Sequence, residues 1–131
     1  QAQMLHLLQE LQQDLPLAIL YLSREAALAY QFADRIGILY LGKLVELAER
    51  DELYQHTLHP YTQALLAAIP ALERRGAMNA ARLQGDTPAP AEIPAGCRFH
   101  PRCRLAQPVC LEVDPEWREH APEHWVACHM V

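Results

Sequence analysis

Four cysteines, Cys97, Cys103, Cys110 and Cys128, lie in the last third of the chain, and none precedes them. Their spacing is C-x5-C-x6-C-x17-C. Four thiolates complete either a tetrahedral zinc site or an iron–sulfur cluster. Zinc fingers and ribbons bring their ligands in close C-x2-4-C knuckles, and this sequence has none. The wider spacing suits a larger guest such as a cubane, whose corners stand several ångströms apart. The expectation is a metal centre, iron–sulfur ahead of zinc. The bland alternative is four buried or free thiols, or two disulfides. Secreted disulfide scaffolds spread their cysteines through a small, loop-rich chain, whereas the first 96 residues here carry none. His100, His120, His124 and His129 share the segment and are substitute ligands on paper; each reads first as a surface or supporting residue.

A second pattern invites phosphate chemistry and fails it. Gly37-Ile38-Leu39-Tyr40-Leu41-Gly42-Lys43 has the spacing of a phosphate-binding loop up to its lysine. Leu44 follows where a Ser or Thr hydroxyl should meet magnesium. The residues between the glycines are strongly β-forming, so their amides are expected to pair in a sheet. Glu49, Arg50, Asp51 and Glu52 read as a solvated helix start, and Trp117 and Trp125 as packing for a small core short of aliphatic residues.

The elements that position these residues follow from periodicity. Residues 1–15 place Met4, Leu8, Leu11 and Leu15 on one helical face, and Pro16 disfavours helix at the residue before it. Residues 17–22 form a continuous apolar run, read as a strand buried on both faces. Ser23 is a candidate N-cap for a helix reaching about residue 34. Residues 36–41 form a second strand, Gly42-Lys43 a two-residue turn, and residues 44–47 an antiparallel return. A short helix is expected near residues 50–56. Pro60 suits the first turn of another, which carries Leu65, Leu66 and Ile69 and stops at Pro70. Residues 71–84 are charged and Ala-rich, with a helix expected. Pro88, Pro90 and Pro94 mark a linker. The fold class is therefore α/β, divided into a core over 1–70, a helical bridge and Pro-rich linker over 71–96, and a four-cysteine, metal-binding extension over 97–131.

Composition limits the partners. Of the 131 residues, 51% are hydrophobic, which is enough for a real core, and the net charge is −5 with scattered basic residues. Without a basic stripe, nucleic acid is not an expected partner. The apolar runs are too short to span a bilayer, and Gln1-Ala2-Gln3 does not open a signal peptide.

The residues from Ala33 through Val45-Glu46, followed by Leu58-His59-Pro60-Tyr61-Thr62 and Leu65-Leu66-Ala67-Ala68-Ile69-Pro70, resemble the ATP-binding subunits of oligopeptide/dipeptide (and nickel) ABC importers. Gly96-Cys97-Arg98-Phe99-His100-Pro101-Arg102-Cys103, then Ala106, Cys110 and Ala127-Cys128-His129, resemble that family's C-terminal extension. Gln1-Ala2-Gln3 resembles the segment after its Walker B motif and D-loop.

The resemblance implies the back part of an ABC-type P-loop nucleotide-binding domain. The whole subunit would bind ATP and magnesium between two ATPase subunits and drive peptide import through transmembrane permease subunits. It would sit in the cytoplasm, peripheral on the inner face of the membrane. The family's 4Fe-4S ligands carry over onto Cys97, Cys103, Cys110 and Cys128, with zinc as the alternative. The P-loop, Q-loop, signature and Walker B motifs would precede Gln1, so the chain alone is expected to be inactive. Where the family has its switch Thr-His-Asp, this sequence has Ser23-Arg24-Glu25. Arg24 stands at the histidine position, where a guanidinium pairs with phosphate oxygens but cannot accept a hydrogen bond as neutral imidazole does. That implies a degenerate or slow ATP site. The other reading is a stand-alone metal-binding regulatory module without ATPase activity. Alone, the α/β segment is expected to expose strand edges and apolar faces and to associate through them.

Overall fold

Ile36, Ile38 and Tyr40 alternate with Arg35, Gly37 and Leu39, which is the period of a strand with one apolar face. In the computed structural model, which describes residues 2–69, 83, 85–89 and 91–131, β1 (Arg35–Tyr40) buries the first three and exposes the others. β2 (Lys43–Glu49) returns antiparallel. The turn residues are Leu41 (φ 46°) and Gly42 (φ 77°), one position earlier than expected, and Lys43 already belongs to β2. Two consecutive positive φ values give the turn that matches strand twist. Glycine supplies the second at no steric cost, while Leu41 is held there by the Arg98 guanidinium donating to its carbonyl. The decoy phosphate loop is thus a β-hairpin whose amides belong to a ladder.

The ladder steps from Ile38–Glu46 to Leu39–Leu44, leaving Val45 without an opposite residue. This bulge buries the adjacent Val45 and Glu46 together. Val45 joins the core of Ile36, Ile38, Tyr40, Ala48, Leu53 and Phe99.

The C-terminal segment completes this sheet. β3 (Arg118–Ala121) pairs with β4 (His124–Val126), and β4 pairs antiparallel with β2, setting Val126 opposite Glu46 and Trp125 opposite Leu47. The order is β1-β2-β4-β3. The cysteine segment is therefore built onto the hairpin. Trp117 and Trp125 stack at 6.3 Å between centroids, the packing role expected of them.

Helices α1 (Ala2–Asp14), α2 (Ala26–Phe32), α3 (Arg50–Gln55) and α4 (Pro60–Ala67) fall close to their expected places. Ser23 does not cap α2: its hydroxyl accepts from the Glu25 amide at 3.0 Å, and Glu25 holds the cap position without a side-chain bond. The strand expected over 17–22 is absent; the segment is extended, with Leu17, Ile19, Leu20 and Leu22 exposed. A strand buried on both faces needs a ladder neighbour, and the described sheet offers none there. The helix expected over 71–84 lies, apart from Leu83, outside the described residues. Among the described residues no helix is long and apolar enough to cross a membrane.

Candidate metal centre

Each cysteine comes from its own short element. Gly96 (φ 64°) leads into Cys97 and lies so close to the next element that an added Cβ would stand 2.5 Å from the Cys110 carbonyl oxygen. This approach lets the Cys97 amide donate to that carbonyl at 2.9 Å. A tight turn over His100–Arg102 separates Cys97 from Cys103. Cys110 rides on α5 (Pro108–Glu112), opened by Pro108, and Cys128 follows β4. All four thiols are free; Cys110 and Cys128 are buried, Cys97 and Cys103 partly so.

The electrostatics of three of the thiols run in one direction. Burial pushes the Cys97, Cys103 and Cys128 thiols up, and the neighbouring thiols push them further: Cys110 and Cys103 act on Cys97, Cys110 on Cys103, and Cys103, Cys97 and Cys110 on Cys128. Backbone amides oppose this. Phe99 and His100 stabilise a Cys97 thiolate, Leu105 a Cys103 thiolate and Met130 a Cys128 thiolate, the last with N···S of 3.4 Å. In three of four cases an amide two residues on is aimed at sulfur. Sulfurs supplied with N–H donors, yet crowded together away from water, are the donor set that a cationic guest relieves. Among the described residues, no group of three or more His, Cys, Asp or Glu side chains is placed to hold a metal ion.

The histidines divide. The His100 ring donates to the Cys97 carbonyl at 2.9 Å and the His129 ring to the Val113 carbonyl at 2.9 Å, so both brace the loops that carry cysteines. His120 is exposed on β3. His124 is neither a surface residue nor beside the thiols in its bonding. It is 1% exposed, with Nε2 2.9 Å from Oε1 of Glu46, itself 0% exposed, and Nδ1 3.3 Å from Oε1 of Glu52. The Glu46 carboxylate also accepts from the amides of Leu58 (2.7 Å) and His59 (3.1 Å) and from the Thr57 hydroxyl (3.4 Å). Glu52 meets His56 at 2.8 Å, so it is not simply part of a solvated helix start. The signal for Glu46 was an acid within the apolar strand 44–48, at a position sharing a face with Ile38.

Phe99 fastens the cysteine loops to the hairpin. It lies between Cys97 and Cys103 in sequence and packs with Tyr40 (5.2 Å), Tyr61 (5.4 Å) and His59 (5.6 Å). Lys43 of β2 pairs with Asp114, and the Ala127 amide donates to the Val45 carbonyl at 3.0 Å.

His59 caps α4: its Nδ1 accepts the Tyr61 amide at 3.1 Å, which requires an unprotonated nitrogen. Burial pushes its pKa down to about 4. The unfolded chain takes up this proton near pH 6.5, the folded chain only near pH 4. His59 therefore contributes its stability in full above pH 6.5 and loses it as pH falls towards 4, by on the order of 3 kcal/mol. A series of melting curves between pH 7 and 4 is expected to show this decline. His59→Asn, which caps without titrating, should flatten it; an equally steep decline in that variant would assign the effect elsewhere.

Ser23, Arg24 and Glu25 lie together on exposed chain that bends at Arg24 before α2. Among the described residues no hydrogen bond or ion pair engages the Arg24 side chain, and the structure does not bring these three residues to the cysteines.

The family model for the oligopeptide/dipeptide transporter C-terminal region matches residues 45–110. The oligopeptide transport ATP-binding protein AppF of Bacillus subtilis is 46% identical over 132 aligned positions, covering 99% of this chain and 40% of that protein. A putative peptide import ATP-binding protein of Brucella ovis is 42% identical, covering 98% of the chain and 40% of its own length. A probable peptide ABC transporter ATP-binding protein of Sinorhizobium fredii is 40% identical, with coverages of 99% and 37%. The chain thus spans about two-fifths of the length of these relatives.

Proposed function

Since the chain belongs to the family of oligopeptide/dipeptide transporter C-terminal regions, we propose that it forms the C-terminal part of the ATP-binding subunit of a peptide-type ABC importer, and that its four cysteines hold a 4Fe-4S cluster. The observation that carries the transporter reading is the continuous similarity of 98–99% of the chain to peptide import ATP-binding proteins. The exposed apolar segment 17–22, the exposed Met4, Leu7 and Leu11 of α1 and Leu15 just after it agree with it: such surfaces find cover in a subunit of the relatives' length. The complete subunit would work on the cytoplasmic face of the membrane with a second ATPase subunit and permease subunits. ATP and magnesium belong to that assembly. Among the described residues no glycine pair forms a phosphate cradle, so ATP hydrolysis is not assigned to the chain alone.

The cluster reading is supported by the free thiols, the amides aimed at three of the sulfurs and the wide spacing. Zinc held by the same four residues is the alternative. A bound cluster would cross-link four separate backbone segments, which favours a structural role. Gly96 sets the approach of the first loop, Phe99 anchors the turn, and the amides of Phe99, Leu105 and Met130 hold negative charge on sulfur.

Anaerobic purification followed by iron, sulfide and zinc analysis tests the proposal. The expected result is about four irons with matching sulfide per chain, and a marked loss of both in Cys128→Ser. Stoichiometric zinc without sulfide would install the alternative, and neither metal would remove the cofactor.

A further inference from the structure

Two lines of contact run from the cysteine loops to the same place. From Cys128, the preceding Ala127 amide holds the Val45 carbonyl at 3.0 Å, Val126 stands opposite Glu46, and His124 reaches the Glu46 carboxylate at 2.9 Å. Glu46 in turn holds the amides of Leu58 and His59, the entry to α4. From Cys97 and Cys103, Phe99 packs on His59 and Tyr61, the first residues of that helix. Both lines end on the segment His59-Pro60-Tyr61-Thr62, and its backbone has no described acceptor for Leu58 and His59 other than Glu46.

We infer that the buried Glu46–His124 contact is a conformational coupler, which makes the order of the cysteine site and the order of the 57–62 segment depend on each other. The inference rests on the proposed cofactor only for what loads the thiols. The physical argument is linkage. β4 contributes three residues to the sheet, and Cys128 lies two residues beyond it. A guest that ties Cys128 to Cys97, Cys103 and Cys110 restrains β4, hence His124, hence the carboxylate that caps 58–59. Conversely, docking of β4 holds the thiols together before any guest arrives. The coupling must be equal in both directions. The groups around His124 are Glu46 from β2 and Glu52 from α3, with His56 on the far side of Glu52. Fixed on both ring nitrogens, the imidazole has one seat on the hairpin.

The test uses the full chain in two arms. Without metal, the alkylation rate of Cys128 by a maleimide is measured in wild type, Glu46→Gln, His124→Gln and, as a surface control on α1, Glu10→Ala. With metal, the chain is reconstituted anaerobically with ferrous iron and sulfide, and hydrogen exchange is followed over 57–62. Cys128 alkylation is expected to rise about tenfold in Glu46→Gln and His124→Gln and to stay within about twofold of wild type in Glu10→Ala. Loading is expected to slow exchange over 57–62 by about tenfold in wild type, and by under about twofold in His124→Gln. Unchanged alkylation in both variants overturns the coupling even if iron binds. So does equal slowing in wild type and His124→Gln, or loss of protection across β1 in the variants, which would mark the pair as merely structural. If alkylation rises as expected but the wild type takes up neither iron nor zinc, the coupling stands and the cofactor reading falls.

Discussion

Replacing Glu46 by Ala is expected to lower the unfolding free energy by about 3–5 kcal/mol, because it leaves the buried His124 ring and two backbone amides without their shared partner. His124 would keep only its longer contact to Glu52, and the amides of Leu58 and His59 would lose their acceptor. Each buried amide left unmatched costs about 1–3 kcal/mol. Against a total stability of about 5–15 kcal/mol for an ordinary domain, this single change removes a large share and brings a chain at the low end of that range near its unfolding midpoint. Urea denaturation checks it, with the slope compared to exclude a change in the unfolded state. The double variant Glu46→Leu with His124→Leu is expected to recover part of the loss, because apolar packing replaces a buried pair at little cost. The amides at 58–59 account for what it does not recover. A Glu46→Ala chain as stable as wild type would mean that water replaces the carboxylate without penalty.

Phe99→Ala is expected to cost about 3–5 kcal/mol and to release the cysteine loops from the hairpin. The ring is 2% exposed and touches three aromatic side chains on two elements, Tyr40 of β1 and His59 and Tyr61 at the start of α4. Its removal leaves a cavity between partners fixed by the ladder and by the α4 cap, so collapse around it is limited. Phe99→Leu keeps most of the volume and is expected to lose under about 1.5 kcal/mol. The urea midpoints of the two variants order these effects. Faster alkylation of Cys97 and Cys103 in Phe99→Ala would show that the ring holds the loops as well as the core. Equal midpoints for the Ala and Leu variants would place the stability of the segment in the β2–β4 ladder instead.

Local patterns carried much of this architecture. Ile36, Ile38 and Tyr40 declare their strand by alternation, Gly42 declares the turn, Pro60 opens its helix and Pro16 closes another. Each is decided within a few residues. The segment 17–22 misled because an apolar run states only that a segment seeks cover, and strand formation depends on neighbours elsewhere in the chain. Glu46 and His124 were illegible for a different reason. They meet across 78 positions, and no local rule pairs an acid in one strand with an imidazole in another. Glu52 was masked by its company, a charged helix start that solvates most such residues. The sheet order hid likewise, because β4 is three residues long and its partner lies far upstream.

The same long separation has a consequence during synthesis. β2 is made before its second neighbour, which lies some 78 residues later. At about 5–20 residues per second, the ribosome needs roughly 4–16 s to deliver it. Through that interval the nascent hairpin carries an uncovered edge and an acid turned towards its future core. Glu46 is then solvated, and an ionised side chain on an open edge discourages a second nascent chain from pairing there. The residue that is costly to lose once the sheet is complete is thus the one that guards the sheet while it waits.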